Sequence, residues 1–81
     1  MDFNLFKNQV RFKIALELID IDQGLSIRQL NELLKDVPQS TLYRQVSFMM
    51  GDNLLKVVGF QKVGKVEEKF YALNTEGYKI N

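Results

Sequence analysis

The sequence predicts a mainly α fold, a three-helix core followed by a two-stranded antiparallel hairpin, and three observations predict it. Residues 3 to 21 carry apolar side chains at helical spacing. Residues 25 to 55 read as two further amphipathic helices joined by the short connector Lys35-Asp36-Val37-Pro38. Two later segments, 54 to 58 and 66 to 73, are rich in β-branched and aromatic residues at period two. The 81 residues, of which 46% are hydrophobic and 26% charged with a single proline, suit one domain with one core over residues 1 to 81. A chain of this size buries only about 60% of the surface its unfolded form exposes, so contacts with a partner can matter for stability.

The first helix runs from about Phe3 to Ile21, with Phe3, Phe6, Val10, Ile14, Leu18 and Ile21 on one continuous stripe. A second set, Leu5, Phe12, Ala15, Leu16 and Ile19, falls on a separate sector. Gln9, Lys13 and Asp20 lie between the two sectors on one side, and Asn4, Arg11 and Asp22 on the other. Either the neighbouring elements wrap far enough to cover the second stripe, or it packs against another chain.

Gly24 ends this helix or follows its end, and Ser26 with Gln29 three residues later has the spacing of a capping box. The second helix is then about Ile27 to Lys35, with Ile27, Leu30, Leu33 and Leu34 inward and Arg28, Asn31, Glu32 and Lys35 outward. Pro38 cannot continue that helix, because it lacks the amide donor, but its fixed φ suits the first turn of a new one. A turn at Asp36-Val37 follows, with Val37 as an apolar plug between the helices.

The third helix runs from about Pro38 to Gly51, with Leu42, Val46, Met49 and the flank of Met50 inward. Ser40, Tyr43, Arg44 and Ser47 point away from the core, and Phe48 lies nearly opposite Val46, either under the hairpin or on a partner surface. Gly51-Asp52-Asn53 is a helix stop. The strands follow, bounded by Gly59 and Gly64, with a flexible basic tip between Gln61 and Val66 that carries Lys62 and Lys65.

Helix, short turn, helix is a helix-turn-helix, and the second helix opens with Gln39, Ser40, Thr41, Tyr43 and Arg44, hydrogen-bonding side chains of the kind that reach base edges and phosphates in a major groove. Arg44 suits guanine O6 and N7 or a phosphate. Gln39 and Gln45 suit adenine or the backbone, and Tyr43 brings a hydroxyl and a ring for a thymine methyl. Each has an ordinary alternative: Ser40 or Thr41 as caps, Tyr43 packed along the second helix, Arg44 paired with Glu32 or Asp36. Lys62 and Lys65 are placed to touch phosphates or lie along the minor groove.

Net charge is +1, a weak signal for a nucleic-acid partner, but its distribution is uneven. Residues 23 to 66 hold Arg28, Lys35, Arg44, Lys56, Lys62 and Lys65 against Glu32, Asp36 and Asp52, whereas acids outnumber bases by one on either side of that stretch. With no cysteine and no histidine, the chain has no disulfides, no thiolate metal site and neither the commonest metal ligand nor the usual general base, so no enzyme and no cofactor is expected. No apolar run approaches the roughly 20 residues that span a bilayer and no leader pattern opens the chain, so a cytoplasmic protein is expected.

The order helix, helix, turn, helix, hairpin resembles bacterial winged helix-turn-helix transcriptional regulators of the ArsR-like class. The residues that carry the resemblance are Val37-Pro38-Gln39-Ser40-Thr41-Leu42-Tyr43-Arg44, then Asn53-Leu54-Leu55-Lys56-Val57-Val58, then Glu68-Lys69-Phe70-Tyr71-Ala72-Leu73. The resemblance implies a recognition helix starting at Pro38, a wing beside the DNA, and homodimers formed through the first and last helices. Metal sensing is not implied, because that branch uses cysteine and histidine ligands. Asn74-Thr75-Glu76-Gly77 resembles the start of the last helix, but the chain stops at Asn81. The resemblance therefore implies either the N-terminal part of a longer regulator or a minimal form pairing through its first helix. The expected function is sequence-specific binding of double-stranded DNA. The alternative is a winged-helix protein-interaction module using Phe48, Met50 and the second stripe of the first helix.

Overall fold

A computed structural model describes residues 3–75, with side chains from Gln9 onward. Its elements are α1 (Phe3–Leu18), α2 (Ile27–Leu33), α3 (Gln39–Gly51), β1 (Leu55–Val63) and β2 (Val66–Leu73). The mainly α architecture with a small antiparallel β wing is therefore present. Phe3, Phe6 and Leu5 of the two α1 stripes have side chains outside the described residues, and Glu76 and Gly77 of the expected helix start at Asn74 to Gly77 lie outside them too. Among the described residues, no helix is long and apolar enough to cross a membrane.

The core follows the helical stripes. Val10, Ile14 and Leu18 of α1 meet Ile27, Leu30 and Leu34 around α2, Leu42, Val46 and Met49 of α3, and Val37 and Leu55. Fully burying one such side chain contributes about 1.5–3 kcal/mol, so this cluster is the main favourable term in folding. Val37 is buried and acts as the plug, its amide bonded to the Leu34 carbonyl at 3.0 Å and its own carbonyl accepting from Asn31 Nδ2 at 3.0 Å. Leu33 departs from expectation and is exposed. It sits about 90° around the wheel from the centre of the inward face, and Leu34, beyond the last helical residue, takes the core position.

Each helix end has a local cause. α1 stops at Leu18 rather than Ile21, and two successive turns follow, Ile21 N–H to Leu18 O and Gly24 N–H to Ile21 O, both 3.1 Å. Aspartate is a poor helix former, and Asp20 and Asp22 fall in this stretch. Gly24 is thus not a helix cap. It has φ of 80°, and a Cβ at that position would meet the Tyr71 carbonyl oxygen at 2.7 Å. Its small size lets Leu25 pair with Tyr71 as a single bridge on the free edge of β2, N–H to O at 2.9 Å in both directions. α2 opens with the expected capping box, Gln29 N–H to Ser26 Oγ at 3.1 Å and Ser26 N–H to Gln29 Oε1 at 2.9 Å. α3 ends with Asn53 at φ of 62°, Asn53 N–H bonded to Met50 O and Leu54 N–H to Met49 O, the Schellman arrangement with asparagine at the left-handed position.

The wing is longer and tighter than the sequence suggests. β1 and β2 pair from Leu55 opposite Leu73 to Val63 opposite Val66, so Gln61 to Val63 are strand and the tip is the two-residue turn Gly64-Lys65. Gly64 has φ of 64°, the positive φ that two-residue hairpin turns require. The register shifts between Val57 and Gly59, a bulge at Val58 that twists the outer hairpin relative to its base.

Candidate functional site

The helical repeat sorts α3 into an inner and an outer face. Leu42, Gln45, Val46 and Met49 are buried. Ser40, Tyr43, Arg44 and Ser47 are exposed and lie on the opposite side. The core thus grips α3 from behind and presents a polar face outward. Of the residues singled out in the sequence, Gln39, Ser40, Tyr43 and Arg44 share this outer region, Thr41 sits half-buried on the α1 flank, and Lys62 and Lys65 stand exposed at the far end of the wing.

Two of the alternatives for these residues resolve, the caps and the Arg44 ion pairs. No side chain caps α3; Thr41 and Leu42 donate their amides to the Pro38 carbonyl at 3.0 and 3.1 Å. The helix start therefore keeps open amides at Gln39 and Ser40 among the described residues, and the positive end of the helix dipole lies there too. Arg44 pairs with neither proposed carboxylate. Glu32 lies 3.9 Å from Arg28, while Asp36 accepts from Lys13 Nζ at 2.9 Å. That bond, and then the Lys13 charge, hold the Asp36 carboxyl below its usual range. Among the described residues Arg44 forms no ion pair and no side-chain hydrogen bond, and its charge is open to a partner.

Between α2, the start of α3 and β2 lies an open groove of about 500 Å³, lined in part by Arg28, Gln39, Tyr43, Glu68, Lys69 and Tyr71. Its polar clasp is Arg28 with Glu68, Nε to Oε2 at 2.9 Å and Nη2 to Oε1 at 3.3 Å, a two-pronged contact spanning 40 positions of chain. The hydrogen bond and the carboxylate charge hold the Arg28 proton more tightly than usual. The clasp fixes the wing against α2 and so sets the angle between wing and α3. Tyr71 lines the same groove; burial first, and then its neighbour Tyr43, raise its hydroxyl pKa. Lys62 lies directly opposite Glu67 in the hairpin register, so Lys65 is the less compensated of the two wing-tip cations.

Two contacts were not foreseen. Gln45, read in the sequence as able to reach a base, is instead buried, and its Oε1 accepts from Arg11 Nε at 2.7 Å. The wheel contains the signal: Gln45 falls between Leu42 and Met49 at steps of three and four, inside the apolar stripe. Phe48 is not tucked under the wing but lies exposed on the α1 side, 5.5 Å from the Arg11 guanidinium to its ring centroid.

A second exposed surface is apolar. Phe12, Leu16 and Ile19 are 64%, 51% and 62% exposed, so neither wing nor neighbouring helix covers these three members of the second stripe. Neither a scan against protein-family models nor a search of curated proteins finds a match for this chain.

Proposed function

We propose that this chain is a sequence-specific double-stranded DNA-binding module of a transcription regulator, of the bacterial winged helix-turn-helix, ArsR-like kind. α3 enters the major groove and the wing lies alongside. The observation that carries the reading is Arg44, unpaired among the described residues on the exposed polar face of a helix anchored from behind by the core. Ser40, Tyr43 and Gln39 flank it, and the open amides at the start of α3 suit a phosphate. Lys62 and Lys65 add sequence-independent attraction from the wing. The module acts by binding, in the cytoplasm, with no cofactor.

The uncovered stripe Phe12, Leu16 and Ile19 supports a homodimer through α1. Such a dimer reads two half-sites about 34 Å apart, one helical turn. The same stripe favours the second reading, a protein-interaction module that does not touch DNA, since a fold does not dictate its use.

Base-resolved binding tests the first reading. Arg44→Ala costs about 1–3 kcal/mol on the preferred site and relaxes preference at one position, whereas Lys62→Ala and Lys65→Ala weaken all sequences alike. Unchanged affinity in all three variants would sink the docking model and favour the protein-interaction reading.

A further inference from the structure

We propose that Arg11 of α1 is a phosphate-contacting residue, held ready beside α3 by Gln45 and Phe48. The inference rests on the DNA reading above and extends the contact surface beyond α3 and the wing. Gln45 is 2% exposed and lies among Leu42, Val46 and Met49, where an unpaired amide would be costly. Its side-chain oxygen is satisfied by Arg11 Nε at 2.7 Å, and the Phe48 ring lies 5.5 Å from the guanidinium carbon. A buried amide on one side and an aromatic face on the other orient the fork, reducing the rotamer freedom it would lose on binding.

The charge is left without a counterpart. Among the described residues no carboxylate lies within ion-pair distance of Arg11, in contrast to Lys13, which has Asp36, and Arg28, which has Glu32 and Glu68. Gln45 engages only Nε, so the two terminal amino groups make no hydrogen bond among the described residues and keep the geometry that matches two oxygens of a phosphodiester.

Placement selects that ligand. Phe48 follows Arg44 by one turn, about 40° around α3 toward α1. A helix with its side chains is about 10–12 Å across and the major groove about 12 Å wide, so residues off the base-facing line meet the groove wall, which is phosphate. With Arg44 toward the bases, Arg11 stands at that wall.

The test is fluorescence anisotropy of the whole chain on a random-sequence duplex pool over a salt series, comparing wild type, Arg11→Ala and Gln45→Met. Loss of one phosphate contact makes the slope of log affinity against log salt shallower by about 0.9, and binding at 0.1 M salt roughly eightfold weaker, for every sequence alike. Gln45→Met keeps the charge but frees the fork, and weakens binding in the same direction with an unchanged circular dichroism spectrum. A folded Arg11→Ala chain with the wild-type slope overturns the proposal. If that variant fails to fold, wild-type affinity in Gln45→Met overturns it instead. Absence of DNA binding by the wild type overturns the DNA reading and this inference with it. Sensitivity to Arg44→Ala alongside indifference to Arg11→Ala overturns this inference alone.

Discussion

α1 and α3 have inner faces of one kind and outer faces of opposite kinds. Inward, Val10, Ile14 and Leu18 and their counterparts Leu42, Val46 and Met49 are all buried in the same cluster. Outward, α3 shows Ser40, Tyr43, Arg44 and Ser47, while α1 shows Phe12 and Leu16, with Ile19 just past its end. Folding explains the first pair of faces and neither of the second. A polar, cationic outer face suits a wet, anionic partner, and an apolar one suits a surface that excludes water.

The largest expected effect tests the equivalence of the inner faces. Ile14→Ala and Leu42→Ala each remove a fully buried side chain and should cost about 2–5 kcal/mol by urea denaturation, enough to unfold much of a domain this small. A loss well under that range from one helix but not the other would show that only one of them is held by the core. A smaller effect separates the outer faces. Leu16→Asp should leave folding intact and weaken self-association by at least about 2 kcal/mol, roughly thirtyfold, in sedimentation equilibrium. Arg44→Ala should leave self-association untouched. Identical sedimentation of wild type and Leu16→Asp would remove the reason for treating the α1 face as a dimer surface.

The smallest effect concerns the groove where α3 meets the wing. Because burial raises the Tyr71 pKa, the unfolded chain releases that proton more readily than the folded one. The hydroxyl's contribution is therefore complete below its ordinary pKa near 10 and is lost as pH rises through and above that value. Tyr71→Phe should show a shallower fall in melting temperature between about pH 9 and pH 11 than wild type. An equal fall would place the Tyr71 hydroxyl in solvent rather than in the groove.

What the sequence reveals and what it hides divide along the same line between local and distant causes. The Ser26-Gln29 cap, the Val37 plug, the Pro38 start and the Asn53 stop each depend on neighbours within a few positions, and all are legible in residue order. The Leu25-Tyr71 bridge and the Arg28-Glu68 clasp join residues 40 or more positions apart, and nothing in residue order pairs them. The outer half of β1 is hidden for another reason. Phe60 to Val63 are exposed on both faces of the hairpin, so alternation carries no contrast between core and solvent. The polar face of α3 is readable from spacing alone, and so is the inward place of Gln45 between Leu42 and Met49, but its partner Arg11, 34 positions away, is not.

Anisotropy of the wild-type chain on the duplex pool, followed across a salt series, tests the central claim most directly. A log affinity that falls linearly with log salt, with a slope of about −0.9 for each phosphate contacted, is the predicted result. No binding even at low salt would contradict it and leave the apolar face of α1 as the surface through which this chain acts.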